Sequence, residues 1–238
     1  MINKKIRDIY HILLQQYGSQ GWWPLIDLRD EITNDIHLKK GYHPGDYSFP
    51  QNRSQQFEIC VGAILTQNTS WTQVEKALDN LKRKGLLDFK ILDKIGREEL
   101  ISEIKPSGYF NQKAKKIKIF TDFFIKLNGR LPKREELLKI WGIGKETADS
   151  MLLYAFKLPF FVIDAYTKRI FSRISNRVMD NYDEMQSSFQ HVFKNELESN
   201  KSIIFNEFHS LIVEHSKNVC KNSPNCYNCI LKDLCDYG

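Results

Sequence analysis

Residues 140–170 read IWGIGKETADSMLLYAFKLPFFVIDAYTKRI, and two features of this stretch organise the rest of the chain. Gly142-Ile143-Gly144 follows the apolar Leu137, Leu138 and Ile140. It precedes Ala148, Met151, Leu152 and Ala155, which recur at helical spacing. The pattern predicts a helix, a tight turn and a second helix. Glycine lets the backbone turn sharply and lets another backbone approach closely. The second helix opens at Gly144 with its free N–H groups and the positive end of its dipole outward, an arrangement that holds a phosphate. Pro159 then precedes a short apolar run that ends on Asp164. That carboxylate is the N-cap of a helix from Ala165, a group that does chemistry, or both, because a cap fixes the direction of the side chain.

Outward from this stretch the helical period dominates. Ile6, Ile9, Tyr10, Leu13 and Tyr17 mark an amphipathic helix, broken by YGSQGWWP. GYHPGDYSFP at 41–50 is a turn-rich linker, with a boundary near Gln51. Phe57, Val61, Ile64 and Leu65 form the next helix, closing on Gln67-Asn68-Thr69. Val74, Ala77, Leu78 and Leu81 form another that stops at Gly85. A turn at Pro106–Asn111 leads into a helix with Ile117, Phe120 and Phe124 on one face and Lys113, Lys115, Lys116 and Lys118 on the other. That lysine face is expected to be solvated or to meet a phosphate backbone. Ile170 and Ile174, then Met185, Phe189, Val192 and Phe193, then Phe208, Leu211, Ile212 and His215 complete the series. No region alternates as a sheet would, so the fold class predicted is all-α, with about ten helices.

The composition, 42% hydrophobic and 27% charged, is that of a globular protein. No run of about 18 apolar residues predicts a membrane span, and the N-terminal stretch is too mixed in polarity for a secretory signal. The expected location is cytoplasmic, or nucleoid-associated in a prokaryote. The net charge of +6 permits an anionic partner without identifying one. Four of the five cysteines, Cys220, Cys226, Cys229 and Cys235, form a C-x5-C-x2-C-x5-C run. In a reducing compartment this is a metal site rather than a pair of disulfides. Structural zinc commonly pairs two separated C-x2-C knuckles; here there is one, which favours an iron–sulfur cluster. Cys60, within an apolar helix, reads as a buried small residue.

GIGKETA at 142–148 in its helical context reads as a helix-hairpin-helix, a module that grips the DNA backbone without reading sequence. With VID at 162–164 and the four-cysteine loop, it resembles the endonuclease III superfamily of base-excision DNA glycosylases, the HhH-GPD family with its catalytic aspartate. The resemblance covers roughly residues 57–235. Within the superfamily, GWWP, GAILTQNTSW, PSGYFNQKAK, GIGKETAD and FHSLIVEHSK look like the 3-methyladenine DNA glycosylase III group, which removes alkylated bases. That group does not carry the cysteine loop, so the chain looks like a cluster-bearing relative. The family loop has six residues between its first two cysteines; this one has five.

The resemblance implies a helix-hairpin-helix glycosylase fold of two helical domains with the active-site cleft between them. Residues 57–163 would form a six-helix domain with the hairpin. Residues 1–56 plus 164–238 would form a second domain carrying the cluster loop at 220–235, with a 4Fe-4S cluster on the four cysteines. Gly142, Gly144 and Lys145 would hold the DNA backbone. Asp164 would stabilise the positive charge that builds on the sugar and orient water. In lyase-competent members a lysine stands two residues after the second hairpin glycine and forms a Schiff base. Here that position is Glu146, and Lys145 is rotated from it by about 100° of helix. The expected enzyme is therefore monofunctional, with Glu146 accepting a hydrogen bond from the base or holding water.

The damaged base must leave the stack of double-stranded DNA. Gln67 would fill the vacated space, Tyr109 would wedge the opposite strand, and Trp22, Trp23 and Trp71 would form an aromatic pocket for a cationic alkylated purine. The protein is expected to act as a monomer. Two rivals stand beside this reading: a bifunctional glycosylase/lyase for oxidised pyrimidines, and a non-catalytic DNA-binding iron–sulfur protein.

Overall fold

The computed structural model of the chain describes residues 2–29 and 40–237. Among these residues there are eleven α-helices and no strand, so the fold is all-α. The helices are α1 (Ile2–Tyr17), α2 (Arg53–Leu65), α3 (Trp71–Arg83), α4 (Phe89–Lys94), α5 (Arg97–Ile104), α6 (Phe110–Leu127), α7 (Arg134–Leu138), α8 (Lys145–Ser150), α9 (Ala165–Ser175), α10 (Tyr182–Val192) and α11 (Glu198–Asn218). No helix of the described residues is long and apolar enough to cross a membrane. The chain divides into two compact units. One gathers Met1–Trp22, His43–Gly45 and Lys157–Gly238; the other gathers Trp23–Tyr42 and Asp46–Phe156.

In the first unit, α1 packs on α10 and α11, and α9 packs on α11. The apolar stripe of α1 buries Ile6, Ile9 and Leu13, as its spacing requires. The core is built from phenylalanines. Phe161 stacks on Phe189 with centroids 4.0 Å apart and meets Phe205 edge-on at 5.3 Å. Each ring removed from water contributes about 1.5–3 kcal/mol. Phe161 thereby anchors the non-helical segment 157–164. Buried irregular backbone needs partners for its carbonyls. Two glutamines of α10 supply them: Gln186 Nε2 donates to Phe161 O at 2.8 Å and Gln190 Nε2 to Pro159 O at 3.3 Å.

The second unit is arranged around α2. Every residue from Phe57 to Leu65 is buried, including Cys60, whose thiol burial pushes well above its usual range. A helix apolar on all sides must be enclosed on all sides. Accordingly α2 packs against α3, α6, α8 and the segment Met151–Ala155. That segment continues α8 as a π-helical turn, in which Phe156 N reaches back five residues to Met151 O at 3.2 Å. Phe57, Phe89 and Phe124 meet edge-on or tilted, and the Arg53 guanidinium lies over Phe89 and Phe124 at 4.9 and 5.0 Å.

Candidate active site and cysteine loop

The hairpin lies in the second unit. Its two helices, α7 and α8, are joined by a buried ion pair that the sequence reading does not anticipate. Arg134 Nε meets Asp149 Oδ1 at 2.6 Å and Nη2 meets Oδ2 at 2.9 Å, with Asp149 fully buried. The turn between them places Gly142 at φ +82°. A Cβ there would stand 2.8 Å from Lys116 Cγ, so the missing side chain makes room for the lysine stem. Gly144 is the N-cap of α8, and no side chain caps the helix start. Lys145 and Glu146 follow it, both exposed on the first turn. Trp141, exposed on the hairpin, carries the Lys115 ammonium over its ring at 4.2 Å.

Gln67 is braced against this hairpin. Its Nε2 donates to Gly142 O at 3.1 Å and to Thr147 Oγ1 at 2.9 Å, and its Oε1 accepts from Lys116 Nζ at 2.5 Å. Burial lowers the Lys116 pKa. Lys113, Lys116 and Lys118 therefore depart from the expected solvated or phosphate-binding face of α6, while Lys115 is exposed as expected. Lys113 is buried, and its ammonium donates to Leu65 O at 2.8 Å and Ser107 O at 2.7 Å. Burial, with a smaller push from Lys116, lowers its pKa to about 8. Lys118 donates to Leu92 O, Asp93 O and Ile95 O, capping the end of α4. Orphan carbonyls at chain turns compete with solvent for these ammonium groups and win. Lys113 thus fixes the turn that presents Tyr109. This residue is 65% exposed in the left-handed region (φ +45°), following Gly108 at φ +66°.

The three tryptophans of the expected pocket have different surroundings. Trp23 is 7% exposed and meets Trp71 edge-on at 5.3 Å and Tyr154 at 5.2 Å, all within the second unit. Gly62 lets the Trp23 indole approach α2; a Cβ there would lie 3.2 Å from Nε1. Trp22 belongs to the first unit. Asn206 Nδ2 donates to its carbonyl at 2.8 Å, and His209 packs edge-on to its ring at 5.8 Å.

His209 also faces Asp164, the second residue of this constellation in the first unit. Asp164 is the N-cap of α9: its Oδ1 accepts from Thr167 N at 2.7 Å and Thr167 Oγ1 at 2.9 Å. Its Oδ2 lies 3.5 Å from His209 Nε2. Asp164 is 8% exposed. Burial alone would raise its pKa, but the His209 imidazole 3.5 Å away and the hydrogen bonds from Thr167 outweigh it and hold the carboxyl below its usual range. A buried, ionised, directionally fixed carboxylate can stabilise a developing cation or orient a water molecule. Asn206 and His209 sit beside one another on α11. The motif FHSLIVEHSK contains His209, whereas nothing in the sequence singles out Asn206.

The four cysteines of the C-terminal loop also lie in the first unit. Burial first, and then the other three sulfurs, push the Cys229 thiol up; Cys235 is raised by burial and by Cys220, Cys226 and Asp236. The thiols therefore stand near enough to oppose one another's ionisation. Among the described residues no three His, Cys, Asp or Glu side chains converge as around a single metal ion. Two sulfurs face side-chain nitrogens: Arg173 Nη1 donates to Cys220 Sγ at 3.2 Å, and His215 Nε2 lies 3.5 Å from Cys229 Sγ. His215 is buried, which lowers its pKa to about 4.

The chain is all-α, with a glycine hairpin between two short helices and a capped, buried aspartate, and its residues 61–195 match the HhH-GPD superfamily of base excision DNA repair proteins. The chain belongs to that superfamily and is a base-excision-repair DNA glycosylase. A Methanocaldococcus jannaschii protein provisionally named a DNA repair glycosylase is 40% identical over 97% of this chain and 95% of its own. Endonuclease III of Thermotoga maritima is 29% identical over 79% of this chain and 87% of its own. Among solved structures, Helicobacter pylori 3-methyladenine DNA glycosylase bound to 1,N6-ethenoadenine superposes with a TM-score of 0.67 at 27% identity, covering 91% of this chain and 95% of that one. An endonuclease III–DNA complex superposes with a TM-score of 0.72 at 22% identity over 100% and 96% of the two chains, a likeness of fold.

Proposed function

We propose that the chain is a monofunctional glycosylase that hydrolyses the N-glycosidic bond of alkylated purines such as 3-methyladenine in double-stranded DNA, after flipping the base, and that it acts as a monomer. The observation that carries the chemistry is Asp164, buried, fixed by Thr167 and held ionised. Positive charge builds on the sugar as the bond breaks, and this carboxylate stabilises it and orients the attacking water. A methylated purine is already cationic and leaves without a strong general acid. Trp22, braced by Asn206 and His209, offers an electron-rich face for such a base, and the Trp23–Trp71 pair offers further aromatic surface for it. Kinship at 27% identity with a 3-methyladenine glycosylase supports the substrate class.

Gly142, Gly144 and Lys145 hold the DNA backbone, Gln67 fills the space of the flipped base, and Tyr109 enters the opposite strand. Glu146 stands where a lysine would form a Schiff base; a carboxylate cannot, so the abasic strand stays intact. Glu146 instead accepts a hydrogen bond from the base or holds water.

The four cysteines hold a 4Fe-4S cluster. The donor set fits it: soft thiolates whose mutual opposition a cationic cluster relieves, with nitrogen donors at two of the sulfurs. When bound, such a cluster ties the loop together and can exchange an electron.

The test is base release from methylated, oxidised and mismatched duplexes, each with and without alkali, together with borohydride trapping. Release of methylated purine, strand breaks only after alkali and no trapped adduct are expected. A trapped adduct at the efficiency of a lyase would establish the bifunctional rival, and Glu146→Lys gives the positive control for trapping.

A further inference from the structure

We propose that His215 is a positioning residue for the cysteine loop: it donates Nε2–H to the Cys229 sulfur while its Nδ1 accepts from the Tyr17 hydroxyl, and the bond to sulfur tunes the electron affinity of the iron–sulfur group. The inference rests on the cluster reading given above.

His215 is fully enclosed in the last turns of α11, and its carbonyl accepts from Val219 N at 2.8 Å and Cys220 N at 3.0 Å, so its backbone also sets the start of the loop. Its ring lies between two partners. Tyr17 Oη is 2.9 Å from Nδ1, and Cys229 Sγ is 3.5 Å from Nε2. A neutral imidazole has one N–H to place. A thiolate bound to iron only accepts, so the proton belongs on Nε2. Nδ1 then presents a lone pair, and the Tyr17 hydroxyl donates to it. The opposite tautomer would aim the Nε2 lone pair at the sulfur. The second nitrogen of an imidazole fixes the first in this way at many metal centres.

The arrangement gives two sulfurs different donors, a guanidinium from α9 at Cys220 and an uncharged imidazole at Cys229. An N–H directed at a ligating sulfur withdraws electron density and favours the reduced cluster. Tyr17, half-buried at the end of α1, extends this line toward the surface. Lys5 of the same helix meets Asp236, next to Cys235, at 3.0 Å. The first helix is thus tied to the loop at two places.

The experiment is protein-film voltammetry on the full chain purified without oxygen, with iron content and visible absorption measured on the same samples. His215→Phe and Tyr17→Phe are expected to move the midpoint potential to more negative values. His215→Phe should also lose iron to a chelator roughly tenfold faster or more. His215→Gln, whose amide offers an N–H at similar reach, should restore most of the shift. His215→Leu, smaller and also without an N–H, decides the matter if His215→Phe fails to fold. A wild-type potential in iron-replete His215→Phe protein, or in iron-replete His215→Leu protein where His215→Phe does not fold, overturns the role of His215 and leaves the cluster reading intact. A colourless wild-type protein without iron overturns both.

Discussion

Asp149→Asn removes one charge from a buried pair and leaves the other in place. Asp149 is 0% exposed, and the Arg134 side chain opposite it is 19% exposed. Breaking such a pair costs about 3–5 kcal/mol, because the remaining ion keeps its desolvation without its partner. The residual exposure lets water reach the guanidinium, which places the expected loss near the lower end, about 3 kcal/mol. For a chain of this size that is roughly a 6–12 °C fall in melting temperature. The pair joins the two helices of the hairpin, so affinity for a duplex with an abasic analogue should fall as well. Two controls isolate the charge. Arg134→Met with Asp149→Leu removes both ions and should recover most of the stability. Asp122→Asn breaks an exposed pair with Lys126 on α6 and should cost no more than about 0.5 kcal/mol. Thermal and denaturant unfolding, followed by circular dichroism, report all three. A loss below about 1 kcal/mol in Asp149→Asn would refute the view that this pair sets the hairpin.

Three further expectations follow from the sites. Asp164→Asn should keep affinity for an abasic-analogue duplex and lose most single-turnover base release; the carboxyl's folded pKa is depressed, so its stabilising contribution is present above the unfolded value of about 3.9 and is lost only as pH falls through the lower folded value. The wild-type contribution of this group to a rate–pH profile should thus be flat through pH 5, and His209→Gln should move its acid limb upward. Trp22→Ala should lose more activity on methylated DNA than affinity for the abasic analogue, measured by base release and fluorescence anisotropy; equal losses would assign the ring to folding. Lys113→Met leaves Leu65 O and Ser107 O without their ammonium donor, at about 1–3 kcal/mol for each carbonyl left unsatisfied, and should speed amide exchange across residues 105–109.

Local chemistry in the sequence is legible where it acts locally. The stripe Ile6, Ile9, Leu13 buries as its period says, Gly85 ends α3 at φ +67°, and Asp164 caps the helix that begins one residue later. What escapes is decided by partners remote in the chain. Lys113 is four, seven and eleven residues from Ile117, Phe120 and Phe124, on the buried stripe rather than the lysine face, and the targets of Lys113, Lys116 and Lys118 at Leu65, Gln67 and Leu92 are carbonyl or amide oxygens that no periodicity announces. His209 faces an aspartate on another helix, and Asp149 pairs with an arginine across the hairpin turn. The adjacent Trp22 and Trp23 read alike, but one rests on His209 and the other on Trp71 and Tyr154. The π-turn at Met151–Ala155 also has no signature of its own: the apolar residues that mark an α-helix serve the wider turn equally well.

The space left empty at Gly142 carries a constraint on how this chain can vary. The stem of Lys116 occupies it, and the Lys116 ammonium meets the amide oxygen of Gln67, whose nitrogen returns to the Gly142 carbonyl. Three positions far apart in the gene are therefore inherited as one decision. A library randomised at positions 116 and 142 together should return alanine or serine at 142 only from clones in which residue 116 has been shortened, and those clones still carry the strain of φ +82°. The Lys116 stem thus constrains the glycine of the hairpin, as its own backbone angle does.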